Sequence, residues 1–223
     1  MSGTGRASGP GRLLTGVAWA VLLVGLCLWG SDITGLRGGL SAPATGDVAA
    51  VGRPLGGIEL PPAHEPLTPA RPERVDVPAL KVRAPVAARG LDRDGAIDPP
   101  PFADSGTVGW YGGGTRPGAS GAALFVGHVD TETERAVFYD LSTLRPGEKI
   151  EVARSDGRTA EFTVEDVQVV TRERFDAKAA YGSHEDGRAE LRLITCGGTF
   201  DKNARTYTAN VIVSAYLTGV SGT

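Results

Sequence analysis

The stretch Leu191-Arg192-Leu193-Ile194-Thr195-Cys196-Gly197-Gly198 reads as a short apolar strand that carries a thiol to its end, where two glycines break it. The chain has two cysteines, and the other, Cys27, lies in a charge-free apolar run near the N-terminus. With that run in a bilayer and Cys196 outside it, the two cannot pair. An unpaired thiol in an exported domain departs from the usual pairing of secreted cysteines. Such a thiol is either a small buried hydrophobe or a nucleophile. As a nucleophile it needs help, because an unperturbed Cys has a pKa of roughly 8.5 and is only a few per cent thiolate at neutral pH. An imidazole can move the protons of acyl transfer, and a guanidinium can hold a developing oxyanion.

Candidates for these helpers are few. Of three histidines, His64 lies in a proline-rich stretch and His184 in the polar loop Ser183-His184-Glu185-Asp186-Gly187, both places for solvated side chains. His128 differs, since it ends the apolar run Ala122-Ala123-Leu124-Phe125-Val126-Gly127, and a titratable group at the exit of a core strand is well placed to line a cleft. Among arginines, Arg192 shares strand parity with Cys196, but four residues along a strand is roughly 13 Å, too far for contact. Arg205 follows the 197–204 turn, and a hairpin would bring it back toward the cysteine. Lys202 reads as a solvated turn residue.

These residues need a scaffold, and the pattern supplies strands. Alternation or apolar runs mark 74–78, 80–86, 107–111, 122–128, 149–153, 159–170, 191–195 and 206–217, with Ser155-Asp156-Gly157-Arg158 as a hairpin turn. Residues 138–144 and part of 175–187 suit single helical turns. Short strands, regular turns and little helix predict an all-β barrel or sandwich. The net charge of −3, with no basic stripe, gives no reason to expect nucleic-acid binding.

Upstream the texture changes. Residues 1–12 form a short basic segment with Arg6 and Arg12, and residues 13–30 carry no charge. As a helix this run is roughly 27 Å long, near the thickness of a bilayer's hydrocarbon core. Arginines before it and Asp32 after it favour a single-pass anchor with a cytoplasmic N-terminus and an extracytoplasmic C-terminal domain. A cleaved signal peptide competes, although the run is long for one and Ser41-Ala42-Pro43-Ala44 comes late for a cleavage site. Residues 31–72, rich in Pro, Gly and Ala, read as a flexible linker, and 73–220 as the folded domain. The linker's Ala42-Pro43-Ala44-Thr45-Gly46 is explained by its composition.

Several short motifs fall in a specific order: Val108-Gly109-Trp110-Tyr111, Pro117-Gly118, Val126-Gly127-His128-Val129-Asp130, Val137-Phe138-Tyr139, the Leu191–Gly198 stretch, Tyr207 and Asn210-Val211-Ile212-Val213. From about Arg74 to Leu217 the sequence resembles the sortases, membrane-anchored cysteine transpeptidases of Gram-positive bacteria, and most of all the class F sortases of actinobacteria. The resemblance implies a closed eight-stranded β-barrel. It also implies Cys196 as nucleophile, His128 as catalytic histidine and Arg205 as the arginine of the site. Many relatives carry that arginine just after the tyrosine matched by Tyr207, where this chain has Thr208. The implied reaction cleaves an LPxTG-like sorting signal between Thr and Gly through a Cys196 thioester, then passes the acyl group to an amine of a peptidoglycan precursor. No cofactor is implied, and no acidic cluster compels a metal. Two other readings remain: a non-catalytic membrane-tethered β-barrel binding module, and an L,D-transpeptidase. The latter's closely spaced Ser-His-Gly-x-Cys is unlike the wide separation of His128 and Cys196.

Overall fold

The computed structural model describes residues 59–222 apart from Asp94. The basic segment 1–12, the anchor expected over 13–30 and the linker as far as residue 58 lie outside the described residues. Among the described residues no helix is long and apolar enough to cross a membrane.

Eight strands close into a barrel: β1 (Pro72–Val77), β2 (Val82–Arg89), β3 (Val108–Tyr111), β4 (Gly121–Val126), β5 (Lys149–Arg154), β6 (Thr159–Thr171), β7 (Ala189–Asp201) and β8 (Thr206–Ser221). Around the barrel they run β1-β2-β3-β4-β7-β8-β6-β5. Two neighbour pairs are parallel, β2 with β3 and β4 with β7, and the rest are antiparallel. The all-β expectation holds, and closure removes the exposed strand edges that an open sheet would carry. Among the described residues, helix is confined to 3-10 turns such as Leu141–Thr143 and one short α-helix, α1 (Ala177–Tyr181), in the β6–β7 connection.

Alternation builds the core. On β7 Leu191 and Leu193, and on β8 Val211, Val213, Ala215 and Leu217, point into the barrel with Phe125, Phe138 and Phe162. Each fully buried Phe or Leu contributes about 2 kcal/mol relative to exposure. The alternate residues face outward. There Ile194 of β7 and Ile212 of β8 form a second cluster with Ala180, and Val126, Val170, Phe175 and Tyr181 pack against it. The β6–β7 connection therefore roofs one outer face of the barrel.

Two features differ from the sequence reading. The glycines after Cys196 do not end the strand: Gly198 takes φ +77° in a bulge, and β7 resumes as far as Asp201. A Cβ at Gly198 would meet Thr208 Oγ1 at 2.6 Å, so glycine lets the bulge sit against β8. Residues before β1, read as part of the linker, also lie along the barrel. His64 N donates to the Leu217 carbonyl at 2.8 Å, Leu67 N to Gly118 at 2.7 Å, and Tyr216 Oη to Pro61 at 2.6 Å. Arg154, buried at the end of β5, bonds the Thr68 and Pro117 carbonyls and pairs with Asp156 at 2.8 Å. These bonds satisfy the strap's backbone and so hold it without secondary structure of its own.

Candidate active site

The β4–β7 register sets the centre of the site. Val126 of β4 pairs with Ile194 of β7 in parallel, and Gly127 N extends the ladder by donating to the Ile194 carbonyl at 3.1 Å. Thr195 Oγ1 then donates to the Gly127 carbonyl at 2.7 Å, a buried bond across 68 residues of sequence. Carried on by two residues, the register brings His128 alongside Cys196, about one strand spacing (~5 Å) away. Both continue the outward-facing row of Val126 and Ile194, so imidazole and thiol emerge on one surface. Gly127 is required here because a Cβ would strike the Phe138 ring at 2.6 Å.

The β2–β3 connection supports the imidazole. Arg89 pairs with the Asp98 carboxylate and donates to its carbonyl at 3.2 Å, fixing the start of Pro99-Pro100-Pro101. This rigid run presents the Pro100 carbonyl to His128 Nε2 at 2.6 Å. A carbonyl only accepts, so Nε2 carries the proton, and the neutral ring keeps Nδ1 as its basic nitrogen. Phe102 stacks on the imidazole with ring centroids 4.3 Å apart and planes inclined by 22°, while its other face stays open to solvent.

Cys196 is a free thiol with its side chain open to solvent. Burial of the thiol's surroundings nevertheless pushes its pKa up; the Arg172 guanidinium draws it down, and the Asp130 carboxylate adds to the rise. The resting group is therefore the protonated thiol, and a base must take its proton as it attacks. Asp130, two residues past His128, accepts a hydrogen bond from Tyr207 Oη. That bond, with burial and the carboxylate's charge, pushes the Tyr207 phenol up to about 12. Phe200 packs edge-on against Tyr207 with centroids 5.2 Å apart and is itself 47% exposed, which leaves an apolar rim beside the thiol.

Arg205 sits at the tip of the β7–β8 hairpin with φ +51°. Its guanidinium pairs with Glu132 at 3.2 Å, both side chains being largely exposed. Because β7 runs on past Cys196, the hairpin tip lies several residues beyond the thiol. The structure thus brings His128 and Cys196 together and sets Arg205 at the mouth, bridging to the loop after His128. Thr208 is uncharged and braces the hairpin, its Oγ1 accepting from Thr199 N at 3.0 Å. Pro100, Phe102 and Arg172 carry no motif, so sequence reasoning missed them.

The roof over the outer face hangs on Glu190. Its carboxylate is fully buried and accepts from His184 N at 3.0 Å, Glu185 N at 2.9 Å, Arg188 at 3.1 Å and Arg192 at 2.5 Å. Glu165, His184 and Glu190 bring ligand atoms within 4.8 Å of one another, but Arg188 and Arg192 already neutralise the pair of carboxylates, so the group suits a structural anchor and not a cation. Burial alone would raise the Glu190 pKa; the backbone donors and Arg192 outweigh it and hold it at about 2. A carboxyl depressed in the fold stabilises it above the unfolded value and loses that contribution as pH falls, here from 4.5 toward about 2. Glu190→Gln is expected to cost on the order of 3 kcal/mol at pH 7, because it leaves the buried Arg192 without its anion, while Arg188 keeps Glu165 and Glu185. Urea midpoints measured against pH check this: the gap between wild type and variant should narrow below pH ~4, and equal midpoints at pH 7 would exclude the anchor.

A family model described as "Sortase domain" matches residues 75–218, more than half of the chain and inclusive of Cys196, His128 and Arg205. No curated protein matches the sequence. Among solved structures, the SrtA sortase from Actinomyces oris is similar at 18% identity and a TM-score of 0.52, over 74% of this chain and 89% of that one. Sortase C1 of Streptococcus agalactiae, solved in complex with MTSET, is similar at 17% identity and a TM-score of 0.50, over 66% of this chain and 69% of that one. At these identities the likeness is one of fold.

Proposed function

Because the chain belongs to the sortase family of cysteine transpeptidases, we propose that Cys196 and His128 carry out a two-step acyl exchange on an LPxTG-like sorting signal. The observation that supports this most directly is the juxtaposition of the two side chains by the locked β4–β7 register. In the first step Sγ attacks the carbonyl of the signal's Thr–Gly bond while its proton passes to His128 Nδ1. The Sγ–C bond forms, the C–N bond breaks, and the same proton goes to the departing glycine amine. In the second step an amine, of a peptidoglycan precursor on this reading, attacks the thioester. It gives up a proton through His128, and Cys196 leaves as the thiol. The backbone N–H groups near Gly197 are suited to assist the oxyanion.

Arg205, tied to Glu132 at the mouth, would hold the extended peptide, with the aromatic rim of Phe200 and Tyr207 taking its apolar residues. The motif order groups the chain with the class F sortases of actinobacteria. Residues 13–30 would anchor it in the cell membrane as a single pass, with the barrel outside the cytoplasm, where surface proteins and wall precursors meet.

The test uses the full chain in detergent, a quenched LPxTG-type peptide library and an amine acceptor. Cleavage with ligation of the acceptor is expected. A wild-type protein that labels with iodoacetamide at Cys196 yet neither cleaves nor ligates any member would count against the transpeptidase reading.

A further inference from the structure

Just past His128 the chain places a carboxylate, that of Asp130, with which no cation pairs among the described residues. A short hairpin holds it: Phe138 N donates to the His128 carbonyl at 3.0 Å, Ala136 N to Val129 at 3.1 Å and Thr131 N to Glu134 at 2.8 Å. Two residues beyond His128, Asp130 lies about 7 Å further along the chain, on the side of the thiol toward the β7–β8 tip. From β8, Tyr207 Oη donates to the carboxylate, so two elements fix it. The neighbouring cations are engaged elsewhere. Arg205 pairs with Glu132 at 3.2 Å, and Arg172 donates to Thr206 Oγ1 at 2.6 Å. Arg135 bridges to Asp130 through the hairpin backbone, but its guanidinium lies over the Tyr139 ring, 4.3 Å from the centroid. His128 turns its Nε2 proton to the Pro100 carbonyl, so Asp130 does not orient the imidazole as the acid of a catalytic triad would. The half-buried carboxylate is left with a neutral phenol as its partner.

In the first half of the acyl exchange this charge is a hindrance, because it works against ionisation of Cys196. Its use lies in the second half. A primary amine of ordinary pKa, about 8 to 10, arrives as an ammonium at neutral pH, and a fixed carboxylate beside the thioester can hold it by charge-assisted hydrogen bonds. We propose that Asp130 receives the acceptor amine as an ammonium ion and so directs the thioester toward aminolysis and away from hydrolysis. The proposal rests on the reading of Cys196 as the nucleophile that carries the acyl group. The bound ammonium gives one proton to water, and the freed amine attacks the thioester carbon. The nitrogen is positive again until its second proton leaves, so the carboxylate stabilises the addition step as well as the bound ion. The C–N bond forms, the C–S bond breaks, and the second proton passes through His128 to the sulfur, which leaves as the thiol. Water attacking in its place brings no cation for Asp130 to hold. Tyr207 is then a positioning residue, since its hydroxyl fixes the carboxylate.

The experiment compares full-length wild type with Asp130→Asn, Asp130→Glu and Tyr207→Phe in detergent. Cys196 is loaded with a small activated acyl ester, so that acceptor choice is measured apart from the sorting peptide. The acyl-enzyme is then followed by intact mass with water alone and with Nα-acetyl-lysine amide, whose side chain is an ammonium at neutral pH. Asp130→Asn should lower kcat/KM for the lysine acceptor at least tenfold and leave hydrolysis within about twofold of wild type. Asp130→Glu should recover part of the ligation, and Tyr207→Phe should lose about threefold with hydrolysis unmoved. Added salt, from about 0.05 to about 0.5 M, should weaken ligation by wild type and barely affect Asp130→Asn. In Asp130→Asn the midpoint of iodoacetamide alkylation at Cys196 should also move to lower pH, read by peptide mass so that Cys27 does not interfere. Equal losses in ligation and hydrolysis, or undiminished ligation by Asp130→Asn, overturn the proposal. If the loaded enzyme selects the lysine amine through Asp130 yet wild type cleaves no sorting peptide, the acceptor assignment stands and the proposed signal fails.

Discussion

Cys196→Ala is expected to lower cleavage and ligation of a sorting peptide by at least about 10⁴-fold and to abolish the acyl-enzyme seen by intact mass. Residues that act as a unit lose nearly all chemical acceleration when the nucleophile goes, whatever binding remains. The geometry gives no substitute. Among the described residues Cys196 is the free thiol, and Thr195, its neighbour on the chain, points inward with its hydroxyl committed to the Gly127 carbonyl. The fold should not notice the change, because the side chain faces solvent and buried packing is untouched; an unfolding midpoint within about 0.5 kcal/mol of wild type is expected. Cys196→Ser sharpens the test. A hydroxyl of similar reach but far higher pKa should stay below one per cent of wild type, since the site favours the neutral form even of the thiol. Cleavage by Cys196→Ala within tenfold of wild type would place the nucleophile elsewhere.

The strands of the barrel were legible because alternation is local: each of β1 to β8 corresponds to a run of the right period in the sequence. Pairing was not legible, since it depends on residues far apart. That His128 ends one strand and Cys196 lies near the end of another can be read from sequence; that the two strands are parallel neighbours cannot. The third member shows the cost. A pair of glycines after Cys196 suggests a strand that stops there, so the next arginine, Arg205, should turn back toward the thiol. Glycine instead permits the positive φ of a bulge, β7 continues to Asp201, and the tip is carried past the site. Pro100 was invisible for another reason. It acts through a backbone carbonyl, which every residue has, and its value comes from where Arg89 and Asp98 hold the loop.

His128→Gln should reduce cleavage of an amide sorting peptide about 10³-fold, and the kind of substrate it still accepts should reveal what the imidazole does. General acid–base catalysis contributes roughly 10² to 10⁴. An amide needs both halves of it: a base for the thiol and an acid for an amine that leaves poorly unprotonated. The Pro100 carbonyl fixes the proton on Nε2 and keeps Nδ1 free to accept, so the ring enters the reaction as a base and becomes an acid only after taking the thiol's proton. A glutamine amide can keep a donor on the Pro100 carbonyl but cannot cycle a proton. An activated ester with a weakly basic leaving group removes the need for the acid, and raising the pH above the thiol's value removes the need for the base. On that substrate, at high pH, His128→Gln should fall within about tenfold of wild type, whereas on the amide the deficit should persist at every pH. Phe102→Ala should leave the ester rate in place and lower the amide rate modestly, by about threefold to tenfold, because it uncovers one face of the imidazole without removing it. Equal losses on amide and ester at high pH would mean that His128 shapes the site and does not transfer the proton. A deficit confined to the amide requires that the proton delivered to the leaving amine comes from His128.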